Sequence, residues 1–245
     1  MPSGRSPQWP GRPARKSRDD FTGESLQRCY PHAGGADRIA PHFSPAQRER
    51  GLPLSSAFVL RPVHPDDIAA ITAIYRDAVL TGTATYELVP PGEGEMQRRF
   101  DELATRRYPR LVADDGKGTV LGYAYAGGYR PRPAYNWLVE DSIYLAPEAR
   151  GKGVGTALLG RLIEECERLG FRQMLAVIGD SANAGSIGVH RKAGFRMIGT
   201  MPATGLKFGR WIDTVLMQRP LGEGAHSIPD KARYPGDFAA PEPGR

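Results

Sequence analysis

Apolar positions recur with two different periods between residues 58 and 220, and the order of the two periods predicts the fold class. A helical period follows the acidic start of PDDIAAITAIYRDAVL, where five apolar residues from Ile68 to Val79 share one face. Short alternating or continuous apolar runs predict strands at FVLRP, RLVADD, GTVLGYAYAG, WLVEDSIYLA and QMLAVIG. Helices and strands therefore mix along one stretch of chain.

Turn and capping residues complete the predicted order of elements. A second helix is expected over residues 93–107, and a third follows a glycine-rich loop and ends at Gly170. Asn183 is expected to cap a short fourth helix, and FRMIGT and RWIDTVLMQ are expected to form an antiparallel pair. The order β-α-α-β-β-β-α-β-α-β-β predicts a mixed α/β domain.

The two ends of the chain lack this periodicity. Residues 1–57 contain eight prolines together with many Arg, Gly and Ser, which predicts a disordered, basic, Pro/Arg/Gly-rich extension. Residues 221–245 show no periodic apolar face and are predicted to be a disordered tail. The sequence thus predicts one folded domain over residues 58–220, which is an ordinary domain size.

Charge and cysteine content exclude several classes of protein. The net charge is +6, but residues 1–57 hold nine Lys and Arg against five Asp and Glu, so most of the excess lies outside the expected domain. Because the domain has no basic stripe interleaved with aromatics, no nucleic-acid partner is expected. Without a long apolar run or secretory h-region, no membrane association is expected, and the default location is the cytoplasm. With two cysteines, neither a disulfide framework nor a cysteine metal site is expected, and Cys166 is expected in the core.

The stretch EARGKGVGTALL, residues 148–159, has three glycines before an apolar helix. A P-loop would have lysine directly before the Ser/Thr, where this chain has Gly155 before Thr156. A dinucleotide fingerprint would have a third glycine, where this chain has Thr156. The pattern Arg150-x-x-Gly153-x-Gly155 does suit a pyrophosphate, since backbone N–H groups and a helix N-terminus can face the anion. Taken alone, the stretch also fits a turn that merely joins strand to helix.

Five stretches together resemble a known family. The glycine stretch is similar to the acetyl-CoA pyrophosphate loop of the GNAT superfamily. AVLTGTATYE, YRPRPAYNWLVEDSIYL, NAGSIGVHRKAGF and GLKFGRWIDTVLMQR resemble its phosphinothricin acetyltransferase family in order and spacing, over residues 58 to about 220. The resemblance implies the GNAT fold, with a mixed and mostly antiparallel central sheet flanked by helices.

The same resemblance implies a function. It implies acetyl-CoA as cosubstrate, a homodimer, and acetyl transfer to the amino group of phosphinothricin, methionine sulfoximine or methionine sulfone, an activity associated with herbicide resistance. Such an amine is mostly protonated at neutral pH, so the reaction needs a base. The resemblance implies that Glu140 is this base and that His190 donates a proton near the departing sulfur. Backbone N–H groups of residues 143–145 would meet the oxyanion. No metal is expected.

The remaining site residues also come from the resemblance. The cofactor contacts are expected to be Ile143, Tyr144, Leu145, Arg150, Gly151, Lys152, Gly153, Val154, Gly155, Thr156, Asn183 and Ser186. The acceptor contacts are expected to be Tyr86, Arg130, Arg132, Tyr135, Lys207 and Phe208. Guanidinium groups suit an acceptor that carries a carboxylate and a phosphinate or sulfone.

Two alternatives stay open at this point. The chain could be a GNAT enzyme that acts on another amine, such as a polyamine, an antibiotic or a protein N-terminus. It could also be a non-catalytic acyl-CoA-binding regulator whose basic N-terminal arm engages nucleic acid.

Overall fold

Seven strands form one sheet in the computed structural model, which describes residues 58–233. The strands are β1 (Val59–Pro62), β2 (Arg110–Asp114), β3 (Val120–Gly128), β4 (Leu138–Leu145), β5 (Gln173–Gly179), β6 (Arg196–Lys207) and β7 (Arg210–Pro220). Their order in the sheet is β1-β2-β3-β4-β5-β7-β6. All neighbours are antiparallel except β4 and β5, which are parallel. The predicted mixed, mostly antiparallel architecture is confirmed.

The helices begin and end close to the predicted residues. They are α1 (Ile68–Thr81), α2 (Glu93–Thr105), α3 (Val154–Leu169) and α4 (Ala184–Lys192). Gly170 ends α3 in the left-handed conformation, with φ of 92°, and the Asn183 side chain caps α4 by accepting from the Ser186 N–H. Both capping predictions are therefore confirmed.

The hairpin of β6 and β7 is longer than the sequence pattern indicates. Strand β6 continues past FRMIGT through Pro202 and Gly205 to Lys207, and its register shifts between Met201 and Gly205. Proline and glycine are tolerated there because β6 is the edge strand of the sheet. This irregular edge breaks the period of two on which the prediction depended.

The core lies on both faces of the sheet. On one face, α1 and α2 contact the sheet, where Tyr75 and Phe100 pack against tyrosines of β3 and β4. On the other face, α3 contributes the fully buried Leu158, Leu162 and Cys166. The predicted core position of Cys166 is confirmed.

Packed residues continue past the expected domain end at residue 220. Leu221 is fully buried, and its N–H donates to the Arg172 carbonyl at 2.9 Å. A short 3-10 turn follows at Lys231–Arg233. The expectations of disorder for residues 1–57 and 234–245 concern segments outside the described residues.

The connection between α1 and α2, residues 82–92, crosses the end of β5 and is called the crossing loop below. The Thr83 carbonyl oxygen lies so close to Gly179 that any Cβ there would overlap it. The Thr83 hydroxyl donates to Asp180 Oδ2 at 3.2 Å, and the Tyr86 hydroxyl donates to the Asp213 carbonyl at 3.1 Å. The crossing loop is thereby fixed to strands β5 and β7.

A methyl group at position 179 is expected to displace the crossing loop. Gly179→Ala should lower the free energy of unfolding by about 1–3 kcal/mol, since its Cβ meets backbone atoms rather than a flexible side chain. Gly160→Ala in α3 is the matched control, because its Cβ meets nothing within 4 Å. That control should stabilise by about 0.5–1 kcal/mol through helix propensity. Urea unfolding of both variants tests this, and equal stabilities would contradict it.

Candidate active site

The site lies where the parallel pair β4–β5 separates. Backbone pairing runs only from Leu138 opposite Gln173 to Asp141 opposite Ala176, although β4 continues to Leu145 and β5 to Gly179. A cavity of about 250 Å³ occupies this region of the sheet. Beyond the last pair, each strand turns one backbone edge toward the gap, and such edges can pair with an extended ligand.

Alternation along β4 sends neighbouring residues to opposite faces of the sheet. The Tyr144 ring meets Tyr75 of α1 with centroids 4.9 Å apart, whereas Asp141 bonds His190 of α4. Because side chains alternate along a strand, Glu140 lies on the same face as Tyr144. The cavity is lined by residues whose side chains lie on both faces: Glu140, Asp141, Tyr144 and His190.

Glu140 is a half-buried carboxyl with a raised pKa. Burial is the main cause, and the neighbouring charge of Asp141 adds to it, so that the Glu140 pKa rises from 4.5 to about 7. A carboxylate with a pKa near neutrality can accept a proton without being fully protonated beforehand. The structure thus gives Glu140 the property that a general base needs.

His190 has protein partners at both ring nitrogens. Its Nε2 lies 2.9 Å from Asp141 Oδ2, and its Nδ1 lies 2.8 Å from the Ser186 carbonyl oxygen. Burial lowers the His190 pKa, but the hydrogen bond and charge of Asp141 outweigh it, and the net shift is upward. The ring lines the cavity, yet both nitrogens are directed to protein atoms.

The glycine stretch joins the end of β4 to the start of α3. Gly151 and Gly153 have φ values of 75° and 82°, which residues with a Cβ rarely adopt, and space is open where their Cβ atoms would lie. No side chain caps the N-terminus of α3, unlike that of α4. The first N–H groups of α3, from Val154 onward, are therefore available to an anion.

Arg150, at the start of this stretch, forms an ion pair across to α1. Its Nη2 lies 3.0 Å from Asp77 Oδ2, and both side chains are partly exposed. The loop from Arg150 to Thr156 therefore lies at the end of β4 near the last turn of α1. This places the predicted pyrophosphate residues together, beginning five residues after Leu145 at the end of β4. Ile143, Tyr144, Asn183 and Ser186 line the cavity.

A second and larger depression opens on the face covered by α1 and α2. This groove has a volume of about 1130 Å³ and contains Arg130 and Tyr135, two of the residues predicted to contact the acceptor. Its lining also includes Arg99, Arg106, Arg107, Tyr108, Tyr123, Tyr125, Tyr129 and Asn136. Tyr125 lines both the groove and the cavity, so the two are adjacent.

The other predicted acceptor residues have different places. Lys207 is only 3% exposed, and its Nζ donates to the Thr85 carbonyl at 3.0 Å, so it holds the crossing loop. Tyr86 lines the cavity, but its hydroxyl is bonded to β7. Phe208 is exposed at the tip of the β6–β7 hairpin, and Arg132 is exposed outside the groove.

Sequence reasoning missed Asp141, Tyr125 and Arg99. Asp141 directly follows Glu140 on a strand, so alternation could have placed it behind the sheet. Tyr123 and Tyr125 similarly follow one another at a spacing of two on β3. No local signal links Arg99 to the groove, because its position depends on how α2 packs against β3.

The described residues show neither a metal centre nor a membrane span. Within residues 58–233, no group of three or more His, Cys, Asp or Glu side chains could hold a metal ion. In the same part of the chain, no helix is both long enough and apolar enough to cross a bilayer.

Comparison with known proteins agrees with this geometry. Residues 68–195 match the model of the acetyltransferase (GNAT) family. The chain is 49% identical over 192 residues to phosphinothricin N-acetyltransferase from Alcaligenes faecalis, covering 78% of this chain and 96% of that protein. It is 46% identical over 155 residues to L-methionine sulfoximine/L-methionine sulfone acetyltransferase from Pseudomonas aeruginosa, covering 63% and 90%.

A solved structure extends the comparison. The GNAT superfamily phosphinothricin acetyltransferase from Sinorhizobium meliloti, in complex with AcCoA, has a TM-score of 0.71 and 54% identity, covering 73% of this chain and 96% of that one. The fold and the site therefore define a GNAT acetyltransferase, and the chain belongs to this family. Within it, the chain resembles the phosphinothricin acetyltransferases, and it is an acetyl-CoA-dependent N-acetyltransferase.

Because the pKa of Glu140 is raised, its negative charge should lower the free energy of unfolding. A carboxyl that binds its proton more tightly when folded stabilises the protein below pH 4.5, and this stabilisation is lost as the pH rises through 7. Glu140→Gln should therefore unfold with a free energy about 1–3 kcal/mol higher than wild type at pH 8, and nearly equal at pH 4.5. Denaturant titrations at both pH values measure this. Glu164→Gln, at an exposed site on α3, should show no such pH-dependent gain.

Proposed function

We propose that the protein transfers the acetyl group of acetyl-CoA to the α-amino group of a small amino acid of the phosphinothricin or methionine sulfoximine type. The observation that carries this is the position of Glu140. It lies in a cavity at the gap between β4 and β5, and Tyr125 joins that cavity to an arginine-lined groove. The names of the relatives support the same acceptor class.

The residues present fit acetyl-CoA, which supplies an activated thioester. The uncapped N-terminus of α3 and the open space at Gly151 and Gly153 suit a pyrophosphate. The unpaired backbone edges beyond Asp141 and Ala176 suit the extended, amide-containing arm that leads to the thioester. Residues 143–145 lie on this edge, so their backbone N–H groups are our candidates for oxyanion donors.

Glu140 would prepare the acceptor for attack. Its carboxylate takes a proton from the acceptor ammonium, directly or through water, and leaves a nitrogen lone pair to bond the thioester carbon. The carbon–sulfur bond then breaks, and the sulfur leaves with its electron pair. The acceptor nitrogen loses its second proton, which reaches the departing thiolate through water. The reaction proceeds in a ternary complex without a covalent enzyme intermediate, in which the cavity brings the two substrates together.

The groove would select acceptors that carry negative charge. Arg99, Arg107 and Arg130 all line it, and guanidinium groups bind carboxylate, phosphinate or sulfone oxygens through paired hydrogen bonds. Arg99 is already paired with Glu87 at 2.7 Å and with Glu95 at 2.7 Å. The Arg130 guanidinium lies over the Tyr129 ring, 5.0 Å from the ring centroid. We therefore expect Arg130 to be the adaptable acceptor contact.

Thiol release from acetyl-CoA with a panel of amines tests the proposal. Phosphinothricin, methionine sulfoximine and methionine sulfone should give a kcat/KM at least about tenfold above spermidine, an aminoglycoside or a peptide N-terminus, since one charge-assisted hydrogen bond is worth about 1.4 kcal/mol or more. Arg130→Lys should raise the acceptor KM several-fold and leave the acetyl-CoA KM unchanged. Arg132→Lys, outside the groove, should have a smaller effect.

The results separate this function from its alternatives. A preference for polyamine, antibiotic or peptide would identify a GNAT enzyme for another amine. Acetyl-CoA binding without amine-dependent thiol release would identify a regulator. If both KM values rose together in Arg130→Lys, the arginine would support the fold and would not contact the acceptor.

We also propose that the protein is a homodimer that associates through the β6–β7 hairpin. The hairpin carries large apolar side chains that are about half exposed or more: Met197, Ile198, Met201, Leu206, Phe208 and Trp211. β6 is an edge strand, so its outer backbone groups are also open to pairing. A second copy would offer the same surface about a two-fold axis, as isologous dimers do. The cytoplasmic location stays a prediction.

A charge on the hairpin is expected to separate the two copies. Wild type should sediment at twice the mass of the chain, and Trp211→Glu, at a residue that is 65% exposed, should sediment at the mass of one chain. Ile228→Glu is the matched control, because Ile228 is an apolar residue that is 94% exposed and lies outside the hairpin. A monomeric wild type, or an Ile228→Glu effect equal to that of Trp211→Glu, would contradict this interface.

A further inference from the structure

Asp141 and His190 form a buried carboxylate–imidazole pair behind β4. The side chains are only 2% and 6% exposed, and the atoms Oδ2 and Nε2 are 2.9 Å apart. The pair links β4 to α4 beside the cavity, on the face of the sheet opposite Glu140. The second carboxyl oxygen of Asp141, Oδ1, is buried and has no hydrogen-bond partner among the described residues.

The partners of His190 fix the number of protons in the pair. The Ser186 carbonyl oxygen can only accept, so Nδ1 of His190 must carry a hydrogen atom to bond it at 2.8 Å. One further proton lies between Nε2 and Asp141 Oδ2. Whichever atom holds it, the pair has no net charge, and the upward shift of the His190 pKa favours imidazolium beside carboxylate.

Few other groups near Glu140 can change charge around neutral pH. From β3, Tyr125 faces this region, and Cys166 faces Asp141 from α3. Burial raises the pKa of the Tyr125 hydroxyl and of the Cys166 thiol, so both stay neutral near pH 7. Strand β5, QMLAVIG, offers no ionisable side chain. The charge of Asp141 acts on the Glu140 pKa, so the state of the Asp141–His190 pair bears on the base.

We propose that Asp141 and His190 are positioning residues for the base: by sharing one proton they hold α4 against β4 and limit the negative charge of Asp141 that acts on Glu140. The proposal rests on the proposed role of Glu140 as the base. It assigns His190 a different task from that of a proton donor to sulfur, in keeping with the two protein bonds of its ring. Asp141 acts through His190 and Glu140 and makes no contact with the reacting atoms.

Substitution of His190 and substitution of Asp141 should shift the Glu140 pKa in opposite directions. In His190→Gln, the amide can still bond Asp141 but cannot supply a positive charge, so the Asp141 carboxylate repels a charged Glu140 and raises its pKa. In Asp141→Asn, that carboxylate is absent and His190 becomes neutral, so the Glu140 pKa falls. Each shift should be about 0.5 pH unit or more, which is modest for charges in a partly buried site.

The pH profile of kcat/KM for phosphinothricin measures both shifts. The acid limb should move to higher pH in His190→Gln and to lower pH in Asp141→Asn. Asp66→Asn is the matched control, because Asp66 pairs with His64 at 3.1 Å at a fully solvated site. Its profile should match that of wild type. Shifts in the same direction, or no shifts in folded variants, would overturn the proposal.

A second measurement needs no activity and tests the pair directly. A histidine signal with both ring nitrogens protonated at pH 7.5 should be present in ¹⁵N spectra of wild type and absent in those of His190→Gln. A His190 ring whose Nε2 neither carries nor shares a proton at that pH would overturn the shared-proton arrangement. Glu140→Gln separates the two ideas: if it keeps wild-type kcat/KM, the proposed base is wrong, whereas the ¹⁵N result still decides the state of the pair.

Discussion

The site depends on the early end of one parallel ladder. β4 and β5 share four residue pairs and then separate. A cavity of about 250 Å³ lies where further backbone pairing would otherwise be. The gap leaves backbone groups unpaired on two strands, which is costly in a protein interior unless something else bonds them. Residues whose side chains lie on both faces of the sheet line this gap.

The alternation of side chains along β4 gives the two neighbouring carboxyl groups, Glu140 and Asp141, different environments. Consecutive acidic residues would repel each other strongly on a common face, but a strand directs Glu140 and Asp141 apart. Each then has a different environment. Glu140 lies half-buried near tyrosines and has a raised pKa, whereas Asp141 has an imidazole partner. The charged form of Glu140 therefore lowers the stability of the fold, a cost that is common at active sites.

Local sequence signals predicted most of the elements, because caps and periods are local properties. Gly170 and Asn183 ended and began helices where expected, and the glycines after Arg150 lie together at the start of α3. Long-range packing was not accessible in the same way. Lys207 belongs to a motif that suggests acceptor binding, yet the fold buries it against Thr85. Arg99 enters the groove only because α2 packs against β3, and the partner of His190 lies 49 residues away in the chain.

The alternation of side chains between the two faces of β4 also limits where residues can be inserted into this sequence or deleted from it. A single inserted or deleted residue before Glu140 would shift the strand by one position and exchange the faces of every side chain that follows. The carboxylate that faces His190 would then enter the tyrosine face, and Glu140 would enter the core beside α3. Such a change cannot be absorbed gradually. Length variation should therefore accumulate in turns such as Asp115–Gly118, where the chain is exposed, while β4 keeps a fixed length between its flanking loops.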